Sequence, residues 1–572
     1  MAVPSKKCDL VMKGGITSGV VYPMAVVELA KKYQFQNIGG TSAGAIAAVV
    51  TAAAEYGRET GGFDKIGELP KELSADLIGK FQPVPQLRPL FNIMLAALSG
   101  STTKIVTALL GNYSGKAMLW ALPGLLISLA LGAGTHSLGF LILGVLLAII
   151  GAFAGAGLAA LRQVTGTLGE YDYGICSGLT QPGNKGPALT DWLTSTIDNV
   201  AGLKNGEGPL TLEHLKSKQI NVKTVTTDIT THRPYVLPMR NNYHAFSEAE
   251  FRKLFPKKVV DHMIAVSPKV NENWGPHPGD LYYFSSDQLP VVVLARMSLS
   301  FPGLISAVPL YRFDYTLVNE DAAPPVKRCL FSDGGLSSNF PVHFFDAFLP
   351  QTPTFGISLS EYEPMRIKKE DMSDPDAGRV VLPSDAGQGR LLPTHGFKGL
   401  IGFIMAMFDS AKDWQDSLQS ILPGYRERIL TVNLKGEEGG LNLEMPPETI
   451  TLLSGFGEDA GRKIVEDFDL EEHRWRRYLV EIQAIEEMLD QFAKSYENST
   501  PQPGSLSYPD LAEDYKPKSF KQLSKDQRKA IKSKSDQIAA LGKALTEDPM
   551  SDYADRLPKS QSRLRNIASM DK

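Results

Sequence analysis

The chain has 572 residues, 43% of them hydrophobic and 21% charged, with a formal net charge of -4, which is enough to bury a large core divided among several structural units. That charge gives no global attraction for nucleic acid, so no nucleic-acid partner is expected and any anionic surface must be met by a local patch. Cys8, Cys176 and Cys329 are widely spaced and form no C-x-x-C pair, so they indicate neither a disulfide framework nor a zinc site, and a reducing, cytoplasmic setting fits.

From the N-terminus the chain runs directly into structure, with no long apolar stretch or cleavage site ahead of it, and no secretory signal is expected. Residues 9–12 read as a short buried strand, 13–19 as a glycine-bearing loop, 20–31 as a helix and 35–38 as a second strand. That strand leads into Gly40-Thr41-Ser42-Ala43-Gly44 and then an Ala-rich helical run. Strand, sharp turn and helix is the context that lifts the serine of a G-x-S-x-G clear of a sheet.

Between Lys116 and Arg162 the chain carries no Asp, Glu, Lys or Arg. It reads as two apolar stretches around a break at residues 132–137, together roughly the length of two spans at the ~20 residues each needs; the first, to about Leu131, is short, and the second, from Leu138 to about Leu161, is long enough. Pro123-Gly124 interrupts the first, while Gly144, Gly151 and Gly155 share one face of the second and permit close contact with a partner helix. Lys116 and Arg162 flank the pair on one side, as cytoplasmic positive charge requires of a membrane hairpin. A buried helical pair or an apolar oligomer interface is the alternative, so a homo-oligomer stays open.

Further on, residues 222–227, 291–294 and 329–332 read as buried strands from their β-branched and apolar content. Strands alternating with helices predict a parallel sheet covered on both faces. Residues 361–393 read as a loop, 397–422 as a helix with Phe397, Leu400, Ile401, Ile404, Met405 and Phe408 on one side, and 471–496 as a polar helix. Beyond Ser499 a loosely attached tail is expected, with one helical pattern over 521–545. The expected division is a core over 1–90, the apolar insert over 91–165, the second part of the core over 166–360, a linker and helical extension over 361–500, and the tail over 501–572.

Three loops carry the chemistry. A hydroxyl needs a base and oxyanion donors to attack an acyl carbon. Ser42 is the candidate nucleophile, and Asp333, at the end of a strand in Asp333-Gly334-Gly335, is a carboxylate whose loop can approach it closely. Gly14 and Gly15 precede a helix, so backbone N–H groups there can converge on a developing negative charge.

These motifs resemble the patatin-like phospholipase family, lipid acyl hydrolases that use a Ser-Asp dyad without a catalytic histidine. The resemblance covers roughly residues 8–360, interrupted by the insert, and includes Ala295-Arg296-Met297-Ser298-Leu299-Ser300-Phe301-Pro302-Gly303 and Val225-Thr226-Thr227-Asp228. It implies a three-layer α/β/α fold with an inserted apolar helical hairpin and a mostly helical C-terminal extension. By this resemblance Ser42 is the nucleophile and Asp333 the base, in motifs built on Gly40, Gly44, Gly334 and Gly335. The amides of Gly14, Gly15 and Ile16 form the oxyanion hole. The chain departs from the family where members often have a third glycine and a basic residue, here Ile16 and Ser18.

The resulting expectation is a serine esterase of phospholipase A type acting on membrane phospholipid, held in the bilayer through residues 117–161 on the cytoplasmic side. Dyad chemistry requires no cofactor and no metal. A conventional α/β-hydrolase triad is the rival enzyme reading, with His343 or His395 following Asp333; His136 and His232 read as structural or solvated. Two more readings stay open at this point: a lipase or esterase on neutral lipids, and a membrane-embedded assembly or pore-forming protein with a weak or silent hydrolase domain.

Overall fold

The structure is a computed structural model that describes all residues except 2, 135–136, 205, 240–242, 271–278, 285–286, 315, 317–324, 364–375, 384–393, 395, 398, 437, 498–503, 518–520, 554 and 559–572. Its strands in chain order are β1 (Lys6–Met12), β2 (Tyr33–Gly40), β3 (Gly174–Cys176), β4 (Asn221–Asp228), β5 (Arg233–Leu237), β6 (Ala245–Ser247) and β7 (Leu281–Tyr283). They continue with β8 (Gly303–Ile305), β9 (Val308–Phe313), β10 (Val326–Asp333), β11 (Thr354–Glu361), β12 (Val380–Val381) and β13 (Ile429–Leu434). The main sheet has the order β12-β13-β11-β1-β2-β4-β10-β9-β6-β7, with β5 paired to β4; β3 and β8 form a separate small sheet.

The sheet is mixed, where the sequence reading expects it parallel. From β13 through β11, β1 and β2 to β4 the strands are parallel, whereas β10, β9, β6 and β7 continue antiparallel. Antiparallel pairing allows a short return, as between β4 and β5, whereas β6 and β7 are joined through the helices Glu248–Phe251 and Lys257–Val266. The reversal matters because β10 delivers Asp333 from the opposite direction.

Side-chain alternation along β1 separates the two faces. Leu10 and Met12 belong to the large core beneath α1 (Tyr22–Lys32), α2 (Ala43–Tyr56) and α3 (Gly62–Ala75). Val11 packs on the other face with Phe340, Val342 and Ile429. Helices on one side and the 340–345 segment with later helices on the other give the α/β/α layering. Past residue 361, β13 still pairs in parallel with β11, and the helix Pro447–Asp467 packs on α1.

Residues 291–294, expected as a strand, lie in the helix Val291–Ser298, all eight residues of which are buried. A helix enclosed on every side shows no amphipathic period, so a short Val-rich run cannot be told from a core strand by pattern. Pro290 stands at its N-cap and fixes where it starts.

The insert is a helical hairpin reached through α4 (Arg88–Leu98) and α5 (Thr102–Asn112), formed by α6 (Ser114–Ile127) and α7 (Leu138–Arg162). Two helical stretches, Ser114–Leu131 and Leu138–Glu170, are long and apolar enough to cross a membrane. Small residues form their seam: a Cβ on Gly124 would stand 2.2 Å from the Ala148 nitrogen, and one on Gly151 2.1 Å from the Trp120 carbonyl oxygen. Leu126 and Ile150, each 62% exposed, point away from that seam. Of the side chains proposed for one face of the 397–422 helix, Leu400, Ile401, Ile404, Met405 and Phe408 lie outside those described; the helix itself runs Gly399–Ser420.

Candidate active site

Ser42 sits at the junction of β2 and α2 with φ 55° and ψ -126°, a region that non-glycine residues occupy at a cost of about 1–3 kcal/mol. The surrounding glycines explain how the turn closes. A Cβ on Gly40 would lie 2.2 Å from the Gly44 carbonyl oxygen, and one on Gly44 2.2 Å from that of Met12. The backbone N–H of Ser42 donates to Ser298 Oγ at 3.0 Å, which fixes the turn from the neighbouring helix.

Strand register then brings in the carboxylate. Gly40 is level with Thr224 on β4, and Asp333 on the returning β10 is level with Thr226, so the two chains meet just past the end of β2. Ser42 Oγ donates to Asp333 Oδ2 at 2.8 Å, and Gly335 N–H donates to Asp333 Oδ1 at 2.6 Å. A Cβ on Gly334 would stand 2.1 Å from the Val225 carbonyl oxygen, so the loop needs glycine to come this close to β4. Burial raises the Asp333 carboxyl from 3.8 to about 6, against the opposing pull of the Ser42 and Gly335 hydrogen bonds. A carboxylate tuned this way is ionised at neutral pH yet a stronger proton acceptor than an exposed aspartate.

The glycine loop lies alongside. Of its three expected donors, Gly14 gives its N–H to the Asn339 carbonyl at 2.8 Å. Among the described residues no acceptor is bonded to the N–H of Gly15 or Ile16. Asn339 also packs on the loop by its side chain, since a Cβ on Gly14 would stand 2.1 Å from Asn339 Oδ1. Thr17 ties the far end of the loop to the Gly440 carbonyl through its N–H at 3.3 Å and its hydroxyl at 3.1 Å.

Three supporting residues escape sequence reasoning. Arg296, fully buried, donates to Ser300 Oγ at 2.7 Å and to the carbonyls of Ser177 and Ser306 at 3.0 and 2.9 Å. Ser300 in turn accepts the Asp333 N–H on its carbonyl at 3.0 Å, so one arginine braces the segment that touches both dyad residues. Its signal was a lone charge within an apolar run. Asn339 and Asp416 have no local signal, because they meet across 77 residues: Asp416 Oδ2 accepts the N–H groups of Asn339 and Phe340 at 2.6 and 2.7 Å.

Among the described residues no histidine is hydrogen-bonded to Ser42 or Asp333. The His343 ring packs edge-on to Phe344 with centroids 5.3 Å apart, His232 is exposed in a turn, and His136 and His395 lie outside the described residues. No group of three His, Cys, Asp or Glu side chains among the described residues is placed to hold a metal, and the three cysteines are buried thiols.

A strained serine at a strand-to-helix turn, bonded to a buried aspartate beside a glycine loop, defines a Ser-Asp site on an α/β/α sheet. The family model for patatin-like phospholipase matches residues 10–346, and the chain belongs to that family of lipid acyl hydrolases. It is 34% identical over 555 residues to a Rhizobium meliloti (strain 1021) protein named RpoH suppressor, covering 83% of this chain and 85% of that one. Among solved structures it aligns with VipD from Legionella pneumophila at 13% identity and a TM-score of 0.29, over 97% of this chain and 89% of that one.

Proposed function

We propose that the protein cleaves acyl ester bonds of membrane phospholipids, as a phospholipase A, through an acyl-enzyme on Ser42. The observation that carries this reading is the 2.8 Å hydrogen bond from Ser42 Oγ to Asp333 Oδ2. Asp333 takes the hydroxyl proton as Oγ bonds to the acyl carbon, and the amides of Gly15 and Ile16 stabilise the tetrahedral oxyanion. Losing one such donor typically costs about 3 kcal/mol of transition-state stabilisation. As the intermediate collapses, the ester C–O bond breaks and Asp333 returns the proton to the leaving alcohol. Asp333 then deprotonates a water that attacks the acyl-enzyme, and the proton returns to Ser42 as the fatty acid leaves.

The α6–α7 hairpin supports a bilayer-embedded enzyme. Its outward face carries Leu126, Leu129, Ile142 and Ile150, each more than half exposed, on two helices long and apolar enough to cross a membrane. With Lys116 and Arg162 at its base, the hairpin anchors the catalytic domain on the cytoplasmic side, where substrate is concentrated at the bilayer surface.

Liposomes discriminate this from a membrane assembly or pore whose hydrolase site is silent. Purified protein is expected to release fatty acid from phospholipid vesicles, and Ser42→Ala to abolish the release. Dye leakage that is undiminished in Ser42→Ala, with no fatty acid from either protein, would establish the pore instead.

A further inference from the structure

No Asp or Glu occurs between Asp76 and Glu170, a stretch that holds Lys80, Arg88, Lys104, Lys116 and Arg162 in a chain whose net charge is -4. Lys80 is buried, with Glu72 at 3.9 Å. The other four are exposed, and among the described residues no carboxylate pairs with any of them. Surface cations elsewhere find acids on their own helix, as Arg462 finds Glu458 at 3.0 Å and Lys494 finds Asp490 at 2.7 Å.

Three of the four are gathered at the base of the hairpin by Gln163. Its Nε2 donates to the Gln86 carbonyl at 2.8 Å, and its Oε1 accepts the Tyr113 hydroxyl. Arg88 follows shortly after Gln86, Lys116 gives its N–H to the Tyr113 carbonyl at 2.9 Å, and Arg162 directly precedes Gln163. Tyr113 is buried with Ala117 and Ala156, so the segments are packed together and the charges share one place in the fold. Lys104, in the first turn of α5, extends the zone along a helix tied to α4, where Asn92 Nδ2 donates to Asn112 Oδ1 at 2.8 Å.

Their level relative to the apolar surface is set by the helix seam. A Cβ on Gly155 would stand 2.7 Å from the Lys116 carbonyl oxygen, so Lys116 is level with Gly155, and Arg162 lies further out along α7 by ~10 Å at 1.5 Å per residue. On the other side of Lys116 exposed apolar surface begins at once: Met118 is 67% exposed, and Trp120 48%. An indole at this position marks the headgroup level of a membrane helix. The cations thus form a collar between the apolar hairpin and the folded domain.

We propose that this collar is a binding surface for anionic phospholipid headgroups. A phosphodiester without a compensating ammonium keeps its full attraction for lysine and arginine, and the planar guanidinium groups of Arg88 and Arg162 offer it paired donors; the ammonium of a choline headgroup cancels most of that attraction. Membrane orientation by positive charge requires no preference among lipids, so headgroup selection is a separate property. The inference rests on the hairpin lying in a bilayer and is independent of Ser42 as nucleophile.

The test reconstitutes full-length Ser42→Ala protein, which leaves the lipid uncleaved, into phosphatidylcholine vesicles carrying a trace of spin-labelled phosphatidylglycerol or spin-labelled phosphatidylcholine. Electron paramagnetic resonance then measures the lipid immobilised at the protein surface. Phosphatidylglycerol should be preferred over phosphatidylcholine by about fivefold or more, and the preference should fall as salt is raised. Adding Arg88→Gln, Lys116→Gln and Arg162→Gln together should remove the preference while leaving immobilised phosphatidylcholine unchanged, and Arg88→Lys, Lys116→Arg and Arg162→Lys together should retain it. Equal immobilisation of the two lipids, or a preference that survives the glutamine substitutions, overturns the collar and leaves the embedded hairpin standing. Immobilisation of neither lipid defeats the embedded hairpin and the collar together.

Discussion

Asp416 and Gly14 are joined through a single residue: the Asp416 carboxylate accepts the Asn339 N–H at 2.6 Å, and the Asn339 carbonyl accepts the Gly14 N–H at 2.8 Å. The helix Gly399–Ser420 thus holds the start of the glycine loop. Asp416 is 4% exposed, and Ser338 Oγ donates to it as well, at 3.2 Å.

Asp416→Ala leaves the N–H groups of Asn339 and Phe340 buried without this acceptor, a loss of roughly 1–3 kcal/mol for each. Because the freed strap borders Gly14, kcat on a soluble ester should fall about tenfold while KM moves less. Asp416→Asn keeps one acceptor oxygen and should recover part of kcat. Thermal denaturation beside steady-state kinetics checks this; a lower Tm with unchanged kcat would reduce Asp416 to a structural role.

With Asp333 as the proposed base, its carboxyl is expected to set the pH dependence. Activity should fall as pH drops through about 6, where its carboxylate takes up a proton and ceases to act as base. Its raised value also means that the folded state holds a proton the unfolded state has released, so its contribution to stability is full below 3.8 and is lost as pH rises through about 6. Asp333→Asn should therefore abolish activity and be more stable than wild type above that window, by on the order of 3 kcal/mol. Asp9, raised to about 6 by burial, titrates over the same range and should leave the variant a residual slope. Urea unfolding at stepped pH measures the difference; an Asp333→Asn curve parallel to wild type would contradict it.

His343 packs against Phe344 and is not bonded to the dyad. His343→Ala should keep kcat/KM within about tenfold of wild type, and a loss of more than ~100-fold in folded protein would indicate a triad. The same comparison applies to His395→Ala.

Leu126→Lys and Ile150→Lys place charges on the exposed face of the hairpin, each costing about 2.5–3.5 kcal/mol at the centre of a spanning helix. Wild type should remain in the membrane pellet after a carbonate wash, and the double variant should move to the supernatant. Its hydrolysis of a soluble ester should persist, because no site residue is touched. Retention of the double variant in the pellet would contradict a bilayer-embedded hairpin.

The first βα units were legible because local signals carry them: an apolar run for β1, then a turn whose glycines at positions 40 and 44 have backbone contacts at 2.2 Å from any added Cβ. The Asp333 turn was legible by its glycines in the same way. What pattern could not give depends on distant partners. The helix Val291–Ser298 is buried all round and loses its period, and the antiparallel half of the sheet follows from pairings such as Asp333 with Thr226. The bracing by Arg296, Asn339 and Asp416 exists only once strands and helices have met.

The most direct test is peptide mapping by mass spectrometry after reaction of the folded full-length protein with a fluorophosphonate. A single adduct on Ser42, lost in Ser42→Ala and strongly slowed in Asp333→Asn, is the predicted result. An unmodified Ser42, or an adduct rate unchanged by Asp333→Asn, would contradict the dyad.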